Sequence, residues 1–113
     1  MKLLLSAFSC EPGRGSEPEV GFQALLAAAR SHEVWALVSA TGLPSLEQAL
    51  DGRPDRRRIH LVAVPVGADE GQLPLRSFHR RYWRWQRRAG ALARDLDRQV
   101  DFDVVHHITL SPL

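Results

Sequence analysis

The chain has a single cysteine, Cys10, in 113 residues, so no disulfide can form within it and a reducing compartment is the expected setting. It has no apolar run near the roughly 20 residues that a membrane-spanning helix needs. The opening Met1–Cys10 stretch looks like a lipoprotein leader at first sight, but its apolar part is short and a Gly-rich, acid-bearing segment follows at once, unlike a secretory leader. Two common nucleotide fingerprints are missing as well. Gly13 and Gly15 are followed by Gly21 at the wrong spacing for G-x-G-x-x-G, and no G-x-x-x-x-G-K-[ST] occurs. There is no internal repeat, low-complexity tract or linker. Lysine is nearly absent, with one against 14 arginines. One length of one domain remains, and 44% hydrophobic residues suffice for its core.

Acid is missing where base is densest. Leu75 to Arg88 holds six arginines and no Asp or Glu, while the rest of the chain carries 9 basic and 13 acidic residues. The overall charge of +2 therefore hides a basic segment in an acidic surround.

What is present alternates. Leu3 to Phe8 is a continuous apolar run, as in a strand buried on both faces of a parallel sheet. Pro18 to Arg30 reads as a helix, Glu33 to Ser39 as a second strand, and Pro44 to Leu50 as a short helix begun by Thr41 or Ser45. Asp51 to Arg58 is a polar loop, and Ile59 to Val66 is a third strand ending at or before Pro65. From Leu75 to Gln99 the apolar positions Leu75, Phe78, Tyr82, Trp85, Ala89, Leu92 and Leu96 step by three and four, one stripe of an amphipathic helix. Asp103 to Ile108 is a fourth strand. The order βαβαβαβ predicts an α/β fold with a parallel sheet and right-handed crossovers, half of a doubly wound domain.

The segment from Ser9 to Phe22, SCEPGRGSEPEVGF, joins the first strand to the first helix. Its glycines allow close backbone approach to a ligand, and a helix start presents free N–H groups to negative charge. Ser16 with Glu19 three residues on is a capping-box pattern, and Pro18 suits a first helical turn. Gly21 inside the helix costs about 1 kcal/mol against alanine, which a close contact with backbone or ligand would explain. A tight turn with no ligand would also use Gly13 and Gly15, and both readings stay open. The fourth strand carries the adjacent pair His106 and His107, whose rings must point to opposite faces. One is expected on the ligand side and the other packed under a helix. Neighbours on a strand cannot converge on one metal ion, so no metal site is expected.

This Ser9–Phe22 segment closely resembles the loop after the first strand in family 4 glycosyltransferases, which have two facing Rossmann-like domains, the GT-B fold. Asp103–Thr109 (DVVHHIT) is similar to the fourth strand and its end in the same N-terminal domain. The resemblance covers residues 1–113 as a partial, truncated N-terminal (acceptor-side) Rossmann-like domain, with the C-terminal donor-binding domain absent. It implies a retaining glycosyltransferase that moves a sugar from a nucleotide-sugar donor to a hydroxyl of a glycan or lipid-linked acceptor. Such an enzyme takes a nucleotide-diphosphate sugar as substrate and needs no cofactor or metal, and a fragment of this length is expected to be inactive alone. Gly13, Arg14, Gly15, Ser16 and Glu17 would then lie near the donor diphosphate and acceptor, and one of His106 and His107 near the transferred sugar. Glu11 and Glu19 are spaced like that family's paired glutamates, but the family's pair belongs to the other domain, so the match is a decoy. A stand-alone half-Rossmann module that binds a phosphate-bearing ligand or partner without catalysis is the alternative.

The arginine-rich helix has two readings of its own. Arg76, Arg80, Trp83, Arg84 and Arg87 form either a solvated face or a contact with an anionic surface, such as phospholipid headgroups. Nucleic acid is not an expected partner, since no binding motif accompanies the charge. The expected location is cytoplasmic, peripheral at the inner face of a membrane if the anionic-surface reading holds.

Overall fold

The structure is a computed structural model that describes residues 1–8, 10, 16–65 and 78–108. Its elements are β1 (Lys2–Ala7), α1 (Ser16–Ala29), β2 (Glu33–Ser39), α2 (Leu43–Leu50), β3 (Ile59–Val64), α3 (Phe78–Val100) and β4 (Val104–Ile108). The four strands form one sheet in the order β3-β2-β1-β4, and every pairing is parallel. This is the expected half-Rossmann-like α/β fold.

Crossover handedness explains the layers. The chain moves from β1 to β2 to β3 in one direction across the sheet, then returns past β1 to β4. Right-handed crossovers in opposite directions place their helices on opposite faces. Accordingly α1 and α2 cover one face, where Leu5, Leu25, Val34, Ala36, Leu46, Leu50 and Ile59 form an aliphatic core. On the other face α3 crosses β1, β2 and β3. Leu4, Leu37, Val64, Trp85 and Ala89 are buried there, with Phe8, Trp35, Leu92, Leu96 and Phe102 packed around them. The alternation of these residues along each strand is the period-two geometry of a sheet buried on both sides.

From Tyr82 to Leu96 the amphipathic stripe of α3 falls where the spacing predicts, and the Phe78 side chain lies outside the described residues. Trp85 is 0% exposed and Trp83, two residues away, is 65% exposed. A helix turns about 200° over two residues, so the two indoles point to opposite sides. Leu75 lies outside the described residues.

Three local features differ from expectation. Neither Thr41 nor Ser45 caps α2. Residues Ala40–Gly42 form a 3-10 turn that runs straight into α2, with Gly42 at the N-cap position and no side-chain cap bond. Pro44, near the start of α2, has no N–H to satisfy there. The polar loop holds a 3-10 turn, Arg56–Arg58, fastened by Arg56 donating to the Ile59 carbonyl at 2.7 Å and by Arg53 pairing with the buried Asp55 at 3.2 Å. Finally β4 is an edge strand left open on both faces, with Val104 41% and Val105 62% exposed. The helix layers lie mainly over the other strands, α1 over β1 and β2 and α3 over β1 to β3, while Ile108 of β4 packs against the aliphatic core.

Candidate functional site

The turn where the chain reverses direction across the sheet lies between β1 and β4. In open α/β sheets ligands bind at such a switch point, beyond the carboxyl ends of the strands. Here Ala7, the last residue of β1, is level with Ile108, the last of β4. The carboxyl end of β1 leads toward α1, whose own N-terminus lies at the same edge of the sheet. The other end of α1 is fixed at the amino edge, where the Glu33 N–H donates to the Met1 carbonyl at 3.1 Å. A 14-residue helix spans about 21 Å, so α1 runs the length of the sheet with its first turn at the carboxyl edge.

The histidines sit just below that edge. His106 is level with Leu5 and His107 with Ser6. Ile108 packs against the aliphatic core, so the alternation puts His106 on the α1 face and His107 on the α3 face. Both imidazoles are exposed. This corrects the expectation that one of them packs under a helix: both rings are exposed, so neither is covered by a helix among the described residues. His106 is the one that shares a face with the start of α1.

Aromatic contacts hold the α3 side of this edge. Phe8, just past the end of β1, meets the Tyr82 ring edge-to-face at 5.5 Å and the Trp85 ring at 5.4 Å. Its carbonyl accepts the Ser39 N–H at 3.4 Å, which ties the ends of β1 and β2 together. At the end of β3, Arg88 donates to the Pro65 carbonyl at 2.8 Å. These contacts fix the first half of α3, with its arginines, beside the carboxyl ends of the strands. The sequence signals were an aromatic residue at the end of an apolar run and a ring every three or four residues along the helix, but neither specifies the pairing.

The remaining site residues divide between the described and the undescribed. Gly13, Arg14, Gly15 and Arg76 lie outside the described residues, as do the side chains of Ser16 and Glu17; Ser16 and Glu17 themselves are the first two residues of α1. Gly21 is buried in the second turn of α1. Cys10 is buried in the aliphatic core, which gives it a packing role. Glu19 accepts a hydrogen bond from Gln23 at 3.0 Å, one turn along the helix. Arg80, Trp83, Arg84 and Arg87 are all exposed on the outward side of α3.

A shallow depression lies at the opposite, amino edge, lined by Met1, Lys2, Glu33, Val100, Asp101 and Asp103. Its polar groups are engaged in joining chain segments. The Lys2 N–H donates to the Asp103 carboxylate and the Asp103 N–H to the Lys2 carbonyl, each at 2.8 Å. These bonds register β4 beside β1, so the depression is a structural junction. Among the described residues no group of three or more His, Cys, Asp or Glu side chains could hold a metal ion, and no helix is long and apolar enough to cross a membrane.

No family model, curated protein or solved structure matches the chain. What the structure shows is a half-Rossmann-like α/β fold whose β1–β4 switch point lies at the carboxyl edge of the sheet.

Proposed function

We infer that the chain is the acceptor-side part of a retaining glycosyltransferase, and that a nucleotide-diphosphate sugar binds at the carboxyl edge between β1 and β4. One observation carries the reading. The strand that leads into the Gly-rich segment and the strand that bears the histidine pair are hydrogen-bonded neighbours, and both end at the same level. A diphosphate beside the start of α1 gains from the positive end of the helix dipole. His106, on the same face, is the imidazole suited to meet the transferred sugar, and the hydroxyl acceptor of a glycan or lipid-linked sugar enters from the open side of β4. A cytoplasmic location goes with this reading, since Cys10 is the only cysteine in the sequence.

The test is sugar transfer by the protein expressed from its own gene, with a panel of nucleotide-diphosphate sugars. Transfer of the sugar to an acceptor hydroxyl with retained anomeric configuration and release of the nucleoside diphosphate, lost in His106→Ala and kept in His107→Ala, is the expected result. The 113 residues alone are expected to bind without turnover. Binding of nucleotide with no transfer to any hydroxyl acceptor from the protein expressed from its gene would favour a phosphate-binding module without catalysis, which uses the same edge. No binding at all would remove both readings.

A further inference from the structure

We propose that the outward face of α3 docks on an anionic lipid surface, with the Trp83 indole in the headgroup layer and Arg80, Arg84, Arg87 and Arg94 on the lipid phosphates. The inference goes beyond sugar transfer and does not depend on it. Trp83 is 65% exposed, although the chain places its other two tryptophans against the sheet. Three arginines bracket it at positions i−3, i+1 and i+4, and all three are exposed. Arg94, also exposed, continues the stripe about two turns beyond Arg87. Among the described residues none of these four makes an ion pair. Arg98, at the far end, pairs with Asp95 at 3.6 Å, and α3 holds no acid before Asp95.

A face meant only for water usually mixes signs of charge. This one has a single sign and a large apolar ring at its centre. Its shape narrows the partner. The surface is one helix wide and convex, with one ring, whereas single-stranded nucleic acid is held in grooves that offer several stacking rings. An indole ringed by cations suits the membrane–water interface, where tryptophan is enriched, and guanidinium groups bind phosphate with two parallel hydrogen bonds. The apolar stripe of α3 is already used against the sheet, so the contact is peripheral: cationic attraction with one aromatic wedge.

Charge also sets the orientation. Asp97, Asp101, Asp103 and Glu33 gather toward the amino edge, while the acid-free arginine turns of α3 lie toward the carboxyl edge. A negatively charged surface therefore attracts the first turns of α3, which Phe8 and Arg88 hold beside the ends of β1 and β3.

The experiment is co-sedimentation of the full chain with vesicles of phosphatidylcholine and with vesicles of an equimolar mixture of phosphatidylcholine and phosphatidylglycerol. Binding is expected to the mixed vesicles alone and to weaken as salt rises. Each arginine near such a surface contributes about fivefold in affinity, so R80Q/R84Q/R87Q is expected to lose about a hundredfold. Brominated lipid is expected to quench the tryptophan emission of the wild-type chain and not that of Trp83→Phe. All four substitutions are on the exposed face, and an unchanged circular dichroism spectrum verifies folding. Equal retention on both vesicle types, no retention on the mixed vesicles, or full retention of the triple variant would overturn the proposal. So would binding to polyglutamate or RNA without vesicle binding, which would point to an acidic macromolecule instead.

Discussion

The two faces of the sheet are closed in different ways. On one, α1 and α2 share the cover, and the buried groups are mostly aliphatic: Leu5, Ala7, Leu25, Ala29, Val34, Ala36, Leu46 and Leu50, with Phe22 as its one buried ring among the described residues. On the other, α3 provides the cover among the described residues, and aromatic rings pack around the buried Leu4, Leu37 and Val64. Phe8 meets Tyr82 and Trp85, and Trp35 lies between the stacked His60 ring at 4.4 Å and the edge of Phe102 at 5.4 Å. Many small contacts spread the load, whereas a few rings concentrate it. The aliphatic face therefore tolerates the loss of one side chain better than the aromatic face does. The aromatic face, in turn, fixes a single helix rigidly enough to present a charged outer surface.

The largest test of that contrast is Trp85→Ala, expected to cost about 3–5 kcal/mol by removing the ring at the centre of the α3 side. Since a domain of this size holds only about 5–15 kcal/mol in total, the variant is expected to be near unfolding. Leu25→Ala on the other face is expected to cost about 2–3 kcal/mol, within the range for a buried leucine whose neighbours can close in. Urea denaturation of the two variants measures the difference, and a greater loss for Leu25 would reverse the comparison. Phe8→Leu comes next. It keeps most of the apolar volume and loses two edge-to-face contacts, for a cost of about 1–2 kcal/mol. The smallest change expected is a gain. Asp101 has φ of 61°, in the left-handed region at the end of α3, and its N–H donates to the Asp97 carbonyl at 2.9 Å. Asp101→Gly keeps that terminating bond and relieves the backbone, and is expected to raise stability by about 0.5–1 kcal/mol. A loss on this substitution would mean that the Asp101 carboxylate does more at the amino edge than cap a helix.

Much of this architecture could be read from residue order. The second strand begins at Glu33 and ends at Ser39 in both sequence and structure, because an apolar run bounded by His32 and a following turn leaves little freedom. The aromatic stripe of α3 was equally plain, since Tyr82, Trp85, Ala89 and Leu92 repeat at helical spacing over several turns. The start of α2 was not legible. Thr41 and Ser45 are both good capping residues, and the choice of a 3-10 entry through Gly42 depends on how β2 delivers the chain. The environment of His106 and His107 was hidden for a different reason. Alternation shows that they face opposite ways, but only the pairing of β4 with β1, and the reach of α1 and α3, tells which face is which and that both lie open. Burial of an edge strand is a property of its neighbours, and the strand's own residues do not encode it. The clasp of Phe8 on Tyr82 and the bond from Arg88 to Pro65 likewise join segments far apart in the chain.

The proposed ligand lies at the carboxyl edge of the sheet, between the segment that follows β1 and the end of β4. Titration of the isotope-labelled chain with a nucleoside diphosphate, followed by NMR, tests it most directly. The expected result is that the amide resonances of Gly13 and Gly15 and the ring resonances of His106 move together, with one shared affinity, while those of Lys2 and Asp103 stay in place. Movement confined to Lys2, Asp101 and Asp103 at the amino edge, with His106 unaffected, would contradict it.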